Sequence, residues 1–334
     1  MAEDKQALIL TNMEDPHADA AIELLNRRGR LKPVRINSND FVNNADYTLR
    51  WNARAMPDTR IFRLLDSGLS LNRVSVGWWR KPQKISPPPN KTDREAIRFG
   101  QEENETLIRC FPSIFSEVNW VNSPRAMSGY GRKIDQLPIA RNLGFNVPPT
   151  IVSNSRREIL SFLDTFPDSI IKPMDFGGFT YDNRNFGCFT SPIGRREVEV
   201  LPDSAFYAPV FVQRRILKCR ELRVTVIGSN VSACAINSQE SDDISVRNDW
   251  RMIPPVELPH KIVEIPDSII TAVRSFTEIC GLNYAAFDII QEPSNEFYFL
   301  EMNPNGQYLW IEQLTGEPLT LWMVELIEAL AAEV

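Results

Sequence analysis

Three oxygen-bearing side chains gather at one predicted hairpin near the end of the chain. Asp288 lies within the apolar run Tyr284–Gln291, and Glu301 and Asn303 end the aromatic-rich run that follows it. Side chains alternate along a strand, so Glu301 and Asn303 share one face. Carboxylate and amide oxygens that leave positions open for phosphates and water suit Mg²⁺. We therefore expect a magnesium site here; the alternative is a solvated sheet face that ends in an Asx turn.

The register of this hairpin decides how close the two carboxylates lie. A four-residue turn at Glu292–Asn295 places Asp288 opposite Phe299. Alternation then sets Asp288 on the same face as Glu301, as a diagonal neighbour about 5–8 Å away. Two acids at such a distance repel each other unless something binds them, which favours the metal over the solvated face.

Two lysines on separate elements could meet phosphate groups. Lys133 opens a predicted helix after a Gly-Tyr-Gly turn, and Lys172 ends the apolar strand Ser169–Lys172 just before paired glycines. A lysine at the end of a buried strand often only extends its ammonium group to solvent. Beside a magnesium site, both ammonium groups become candidates to neutralise phosphate charge.

Three arginines could hold an anionic substrate. Arg223 lies inside the predicted strand Leu222–Ile227, Arg251 follows Asp249-Trp250, and Arg80 ends the strand Val74–Trp79. Taken singly, each is more often a surface charge than a ligand. A substrate carboxylate and its phosphorylated form both need cationic neighbours, so we expect catalytic roles for Arg80, Arg223 and Arg251.

The elements that position these residues divide the chain into three predicted parts. A first strand at Lys5–Asn12 and a helix at Pro16–Arg28, capped by Asp15 and stopped by Gly29, favour an open α/β domain. Two hairpins later in the chain, Leu222–Ile236 and Tyr284–Met302, predict an antiparallel sheet. We place the domains at residues 1–121, 122–210 and 211–334.

Length and composition exclude several classes of protein. The chain has 334 residues and a net charge of -6, so nucleic acid is an unexpected partner. Five scattered cysteines without a CxxC pair, and only two histidines, argue against disulfide frameworks and zinc sites. The apolar runs are shorter than the ~20 residues of a membrane span, and no signal peptide is evident. We expect a cytoplasmic enzyme that is neither a P-loop nor a dinucleotide-binding protein, because neither glycine motif occurs.

The order of these motifs resembles the ATP-grasp superfamily from about residue 120 onward. In sequence come Lys133, IIKP, a glycine turn, VFVQRRI, ELRVTVIG, NDWR, FDII and LEMNPNGQ. Within the superfamily, the chain is most similar to the maturases of ribosomal peptides that make microviridins and other graspetides. The segments EMNPNGQYLWIEQLTG, DWR, DPHAD, VRIN and WWRKP carry this second resemblance. Glutamate ligases and glutathione synthetases are the other similar groups.

The resemblance implies an α/β (α+β) fold that holds ATP between a central and a C-terminal α+β domain, after an open N-terminal α/β domain. It implies these nucleotide contacts: Lys133 and Lys172 on phosphates, Gly177 and Gly178 in the covering loop, Gln213, Arg214, Arg215 and Ile216 in the adenine hinge, Glu221 near ribose. Arg223, with Asp288, Glu301 and Asn303, would hold the triphosphate and two Mg²⁺ ions. The hinge departs from the usual pattern, because Arg214 stands where an acidic residue is common.

The resemblance also implies a reaction and a partner. An Asp or Glu side chain of a precursor peptide would be phosphorylated, and a Thr, Ser or Lys side chain of the same peptide would close an ester or amide macrocycle. The alternative is a stand-alone ATP-grasp ligase of the glutamate-ligase or glutathione-synthetase type. A helical leader would dock on the helix Arg156–Phe166 and the hairpin Leu222–Ile236. Whether the protein forms a homodimer stays open.

Overall fold

The computed structural model describes residues 5–43, 45–51, 59–64, 69, 73–87, 93–115, 117–174, 178–181 and 184–333. The N-terminal part contains, in chain order, β1 (Gln6–Thr11), α1 (Pro16–Arg28), β2 (Lys32–Asn37), α2 (Asp40–Asn43), β3 (Ala45–Arg50), β4 (Thr59–Leu64), β5 (Val74–Trp79), α3 (Arg94–Ile114), β6 (Asn119–Val121), α4 (Pro124–Tyr130) and α5 (Lys133–Asn142). Strands β2, β1, β5 and β6 form a parallel sheet in that order, and β3 pairs with β4 in a separate antiparallel ribbon. The predicted open α/β arrangement is therefore present.

Helix α1 begins and ends where local chemistry predicts. The side chain of Asp15 accepts a hydrogen bond from the backbone N–H of His17, which satisfies one of the free donors at the helix start. Gly29 ends the helix with a φ of 65°, a left-handed conformation that favours glycine, and its N–H bonds to the carbonyl of Leu25.

The middle part is a small antiparallel sheet covered by helices. Its elements are β7 (Thr150–Ser153), α6 (Arg156–Thr165), β8 (Ser169–Lys172), β9 (Gly178–Tyr181), β10 (Arg184–Gly187), β11 (Ser191–Ile193), α7 (Arg195–Val200) and β12 (Val210–Arg214). The sheet order is β11-β8-β12-β7, and β9 and β10 form a separate two-stranded sheet. Ile159 and Leu163 of α6, Val198 of α7 and Val212 of β12 form the core on one face of this sheet. The side chains on the opposite face of this sheet lie outside this hydrophobic cluster.

The C-terminal part is a larger antiparallel sheet with helices on both sides. Its elements are β13 (Arg220–Ile227), β14 (Asn230–Ile236), α8 (Ile244–Asn248), β15 (His260–Ile262), α9 (Asp267–Ile279), β16 (Tyr284–Gln291), β17 (Phe297–Asn303), α10 (Leu309–Thr315) and α11 (Leu319–Ala332). The sheet order is β15-β14-β13-β16-β17. Phe276 of α9 packs on Phe287 and Phe299, which covers one face of the sheet. The prediction of an antiparallel C-terminal sheet is confirmed.

The last helix closes the chain back onto its beginning. Met323 and Val324 of α11 are fully buried in one hydrophobic cluster with Ile9 of β1 and Val76 of β5. Ile227, at the end of β13, belongs to the same cluster. The N-terminal sheet and the C-terminal sheet are therefore joined by a shared apolar core, and they hold a fixed relation to each other.

The predicted register of the second hairpin is wrong, because Gln291 pairs with Phe297 and not with Glu296, and a bulge then shifts the ladder again. Asp288 lies directly opposite Glu301, whereas Phe299 pairs with Ile289. The extra residue between these pairs is Leu300, so the ladder shifts between Asp288 and Ile289. Phe299 therefore faces the apolar core, and Glu301 is turned to the face of Asp288. Simple alternation could not anticipate this, because it assumes an uninterrupted strand.

No helix in the described part of the chain is long and apolar enough to cross a membrane.

Gly77 provides a test of the packing in the N-terminal sheet. It pairs with Trp120 on the neighbouring parallel strand, and a Cβ at Gly77 would lie 2.5 Å from the indole ring. We expect Gly77→Ala to lower the free energy of unfolding by about 1–3 kcal/mol, because the buried ring has little room to move. Chemical denaturation followed by tryptophan fluorescence measures this.

The matched control is Gly100→Ala, in helix α3. A Cβ at Gly100 meets nothing within 4 Å, so this variant should gain about 0.5–1 kcal/mol from the better helix former. Equal stabilities for the two variants would contradict the packing described at Gly77.

Candidate active site

Three adjacent strands bring opposite charges side by side on one face of the C-terminal sheet. Arg223 on β13 pairs with Asp288 on β16, and Asp288 pairs with Glu301 on β17. The Arg223 Nη1 donates to Asp288 Oδ1 at 2.8 Å. Arg223 is buried, and the two carboxylates are only about a quarter exposed. The sheet thus presents a row of one cation and two acids at the edge of solvent.

Two further cations reach this row from outside the sheet. Lys133, the first residue of α5, places its Nζ 2.7 Å from Glu301 Oε2. Arg251, in a short 3-10 turn after α8, places its Nη1 3.9 Å from Glu301 Oε1. Helix α5 belongs to the segment that precedes the middle sheet, whereas Arg251 follows the hairpin of β13 and β14. Glu301 therefore ties together elements that are distant in sequence.

Lys172 approaches the same place from the middle sheet. It ends β8, and its Nζ lies over the ring of Phe211 on β12, 5.2 Å from the ring centre. Burial, together with the nearby charges of Lys133 and Arg251, lowers the pKa of Lys172 to about 8, against the attraction of Glu301 and Asp288. An ammonium group in this state is easily stabilised by an added anion such as phosphate.

The surroundings shift the pKa values of Asp288 and Glu301 in opposite directions. Burial and the neighbouring charge of Glu301 raise the pKa of Asp288, although Arg223 lowers it. Burial also opposes ionisation of Glu301, but Lys133, Lys172 and Arg251 outweigh it, so the pKa of Glu301 is lowered. Like charges at this distance disfavour each other, and a divalent cation between them removes that cost.

The donor set fits magnesium. Asp288 and Glu301 supply two carboxylates, and Asn303 adds an amide oxygen at the end of β17. Within the described ranges no group of three or more His, Cys, Asp and Glu side chains could hold a metal alone. Mg²⁺ commonly binds through one or two carboxylates and completes its octahedron with phosphates and water, so two acids suffice.

The predicted adenine hinge lies on the face of the middle sheet that carries Lys172. Val212 points into the core under α6, so Phe211 and Gln213 point to the other face. Gln213 is fully buried, and its Nε2 donates to Thr150 Oγ1 at 2.8 Å. Its Oε1 finds no hydrogen-bond partner among the described residues. A buried acceptor left open in this way fits a donor such as the adenine amino group.

The other predicted hinge residues differ in their exposure and in their contacts. Arg214 is exposed at the end of β12, Arg215 donates to Asp168 Oδ1 at 2.8 Å, and Ile216 is buried. Glu221 Oε1 receives hydrogen bonds from Lys218 Nζ and Ser238 Oγ, each at 2.7 Å. A ribose hydroxyl at Glu221 would therefore join an existing network.

Arg80 is not brought into the charged row. It is 2% exposed, and its Nη1 donates to Asn305 Oδ1 at 2.9 Å and to the Asn305 carbonyl at 3.3 Å. Its Nε lies 3.7 Å from Asp15 Oδ2. The guanidinium group of Arg80 thus contacts a loop of the protein. The contact between Arg80 and substrate stays a prediction. Gly177 lies outside the described residues, and Gly178 begins β9.

Asp249 is a site residue that sequence reasoning missed. Its two carboxylate oxygens accept from Arg251 Nε and Nη2 at 2.8 and 2.7 Å, which fixes the guanidinium plane. It also accepts from the backbone N–H of Thr190 at 3.2 Å and is only 4% exposed. Asp249 also caps the short 3-10 turn that carries Arg251, by accepting from the backbone N–H of Arg251 at 3.2 Å, so an Asp two residues before the Arg was a usable signal.

The two elements predicted to receive a leader belong to different parts of the fold. Helix α6 packs mainly on α7 and β7, whereas β13 and β14 are inner strands of the C-terminal sheet. Ile159 and Leu163 of α6 are buried, and Leu160 and Phe162 are partly covered by the same cluster. A cavity of about 660 Å³ lies elsewhere, along the outer side of α5 and the segment 147–150, and holds none of the charged row.

Comparison with known sequences gives one distant relative and no family model that matches. An uncharacterized protein of Methanocaldococcus jannaschii is 26% identical over 202 residues, which cover 60% of this chain and 47% of that protein. The chain thus spans about half the length of the curated relative it matches.

Comparison with solved structures gives matches over nearly the whole chain. A Chryseobacterium gregarium RiPP-associated ATP-grasp ligase, in complex with ADP and a leader and core peptide, has a TM-score of 0.86 at 24% identity and covers 97% of this chain and 96% of its own. The macrocyclase MdnC of Microcystis aeruginosa, bound with precursor peptide MdnA, has a TM-score of 0.82 at 24% identity, with 96% and 99% covered. The ATP-grasp ligase PsnB, complexed with a phosphomimetic variant of its minimal precursor, Mg and ADP, has a TM-score of 0.77 at 20% identity, with 98% and 99% covered.

These likenesses show the fold: the chain has the ATP-grasp fold. The predicted resemblance to ATP-grasp ligases is confirmed at this level. The match extends through the N-terminal part, where the segments DPHAD, VRIN and WWRKP carry the predicted resemblance.

Lys172 yields a pH prediction. Its pKa in the free protein is about 8, so above that pH a bound phosphate must draw a proton onto the lysine. We expect ADP affinity to fall as the pH rises through 8, by up to about tenfold per pH unit for one linked proton. Calorimetric titration of ADP between pH 7 and about 9.5 measures this, and a Lys172 variant separates the lysine from the free cysteines, which titrate in the same range.

Lys172→Arg should flatten the alkaline fall, because an arginine keeps its proton. Lys261→Arg, on the exposed edge strand β15, serves as the matched control and should keep the wild-type profile. A profile that is unchanged in Lys172→Arg would contradict a contact between Lys172 and phosphate.

Proposed function

We propose that this protein is an ATP- and Mg²⁺-dependent ligase that activates Asp or Glu side chains of a precursor peptide and closes ester or amide macrocycles. The charged row of Arg223, Asp288 and Glu301, with Lys133 and Lys172 facing it, carries the proposal. It lies on a fold shared over nearly its full length with a RiPP-associated ligase and a macrocyclase that were solved with their peptides.

The first step is phosphoryl transfer. A carboxylate oxygen of the peptide attacks the γ-phosphorus of ATP, the bond from that phosphorus to ADP breaks, and an acyl phosphate forms. The protein does little covalent work, because such transfers depend on position and charge neutralisation. Lys133, Lys172 and Arg223 supply positive charge for the phosphates, and Gln213 offers its free acceptor to adenine.

Asp288, Glu301 and Asn303 would hold Mg²⁺, and a bound ion would offset the negative charge of the phosphates. Lys133 Nζ lies 2.7 Å from Glu301 Oε2, and Arg223 Nη1 lies 2.8 Å from Asp288 Oδ1. These contacts keep the buried acids compensated in the free protein, because an unpaired charge at such a site is costly.

The second step is ring closure. A hydroxyl or amine of the same peptide attacks the acyl carbon, phosphate leaves, and the proton of the nucleophile passes to solvent. Arg251 is the cation best placed to receive the acyl phosphate, because it is half exposed while Asp249 fixes its plane. An oriented cation of this kind stabilises the charge that develops on the attacked group.

The reaction class is tested by its products. With the peptide encoded by a neighbouring short reading frame rich in Thr, Ser, Asp and Glu, we expect ADP and phosphate, and a peptide hydroxamate when hydroxylamine is added. AMP and pyrophosphate would overturn the proposal, and a phosphorylated hydroxyl without hydroxamate would indicate a kinase.

Two variants test the metal ligands in the same assay. Asp288→Asn and Glu301→Gln should lower turnover by about 10²-fold or more, because each removes a charge that the transition state needs. Glu292→Gln, in the turn of the same hairpin, makes the same chemical change away from the site and should keep activity. Circular dichroism checks that all three variants are folded.

The peptide partner is tested by separating leader from core. Holding a leader raises the effective concentration of the core at the active site, so we expect the linked precursor to be used about 10²-fold more efficiently than the core alone. A titration with leader alone, without ATP, should show binding. Equal use of core and full precursor would favour the alternative, a stand-alone amino-acid or peptide ligase.

A further inference from the structure

We propose that Asp15, His17 and Arg80 of the N-terminal part are positioning residues for the magnesium site, although none of them touches the charged row. They fix the loop 304–308, which follows Asn303 and leads into α10. The inference rests on the proposed function and adds to it a part of the molecule that has no described contact with Asp288 or Glu301.

His17 anchors the far end of this loop. Its Nε2 accepts hydrogen bonds from the backbone N–H of Tyr308 at 3.0 Å and of Leu309 at 3.1 Å. The Tyr308 ring meets the imidazole edge to face, with 4.8 Å between ring centres. A nitrogen that accepts from two amides must be unprotonated, and burial lowers the pKa of His17 accordingly. His17 thus holds two consecutive backbone amides of the loop.

Arg80 anchors the middle of the loop and connects it to a metal ligand. Arg80 Nη1 donates to the side chain and the carbonyl of Asn305, and Asn305 Nδ2 donates back to the Arg80 carbonyl. The backbone N–H of Asn305 in turn donates to Asn303 Oδ1 at 2.9 Å. A continuous chain of hydrogen bonds therefore runs from Arg80 to the amide oxygen proposed to bind Mg²⁺.

Asp15 fixes both anchors at once. Its Oδ1 lies 3.5 Å from His17 Nδ1, and its Oδ2 lies 3.7 Å from Arg80 Nε. It is 2% exposed and also accepts from Thr11 Oγ1 at 2.5 Å. With the carboxylate on the Nδ1 side, the imidazole proton belongs on Nδ1, and Nε2 is free to accept. The N-cap of α1 is therefore also the support of the anchor.

The loop has little freedom to adjust if an anchor is lost. Tyr284 Oη donates to the Gly306 carbonyl at 2.7 Å, and a Cβ at Gly306 would lie 2.5 Å from Ala286 Cβ. Asn122 Nδ2 donates to the carbonyl of Pro304 at 2.6 Å. Because the loop packs this closely on the sheet, a shift at His17 or Arg80 is transmitted to Asn303.

Groups that orient a metal ligand affect metal affinity more than nucleotide affinity, which distinguishes positioning from general stability. The test titrates Mg²⁺ into protein saturated with ADP and, separately, ADP into metal-free protein. In His17→Asn and Arg80→Lys we expect the dissociation constant for Mg²⁺ to rise about 10–100-fold. ADP binding without metal should stay at the wild-type value.

His17→Gln is the rescue variant, because its longer side chain can place an amide oxygen near the position of Nε2 and restore an acceptor. It should bind Mg²⁺ more tightly than His17→Asn. Arg35→Lys is the matched control: Arg35 is in the neighbouring strand β2 and contacts Asp19 and the Asn12 carbonyl, with no described contact to the loop. It should leave Mg²⁺ binding unchanged.

Unchanged Mg²⁺ affinity in folded His17→Asn and Arg80→Lys would overturn the inference, as would an equal loss of metal-free ADP binding. If His17→Asn does not fold, Asn305→Ala decides, because it cuts the same chain from the side of the loop. Failure of the proposed function gives another result: wild-type protein would then bind no Mg²⁺ in the presence of ADP.

Discussion

Two carboxylates on neighbouring strands lie in a desolvated cleft, and their mutual repulsion must be compensated before the C-terminal sheet is stable. Asp288 receives Arg223 from the next strand, and Glu301 receives Lys133 from α5. Lys172 and Arg251 add positive charge from the middle sheet and from the turn after α8. Four separate segments, α5, β8, β13 and the turn after α8, therefore contribute one cation each. This compensation lowers the cost of burying the two acids, and in the proposed function a triphosphate and a divalent metal would replace these internal contacts.

The geometry of the cleft follows from features of the two sheets. The bulge at Leu300 turns Glu301 towards Asp288 while Phe299 stays in the aromatic core. In the middle sheet, the core under α6 takes Val212, which leaves Phe211 and Gln213 for the opposite face. The N-terminal sheet adds no charge to the row, but it shares an apolar core with α11 and holds the loop after Asn303. The N-terminal sheet thus supports the site, whereas the charged side chains of the site come from other parts of the chain.

Much of the fold was predictable where local signals are strong. The cap at Asp15 and the stop at Gly29 gave the bounds of α1, and the motif order gave the ATP-grasp fold. The proximity of Asp288 and Glu301 was expected, but their direct pairing was not, because a bulge depends on packing of Phe299 against α9 and leaves no mark in the alternation of residue types. Arg80 was predicted to contact substrate because an anionic substrate needs cationic neighbours, whereas its burial against Asn305 depends on contacts between residues 225 positions apart. The contacts of His17 with Tyr308 and Leu309 could not be predicted for the same reason.

The central claim is that the charged row of Asp288 and Glu301 holds Mg²⁺ together with nucleotide. A crystal structure of the protein with ADP and Mg²⁺ tests this most directly. We predict a metal ion about 2.0–2.1 Å from oxygen atoms of Asp288 or Glu301 and of ADP, with Lys133 moved from Glu301 to phosphate. ADP bound away from the row, with the contact between Lys133 and Glu301 intact at 2.7 Å, would contradict the account.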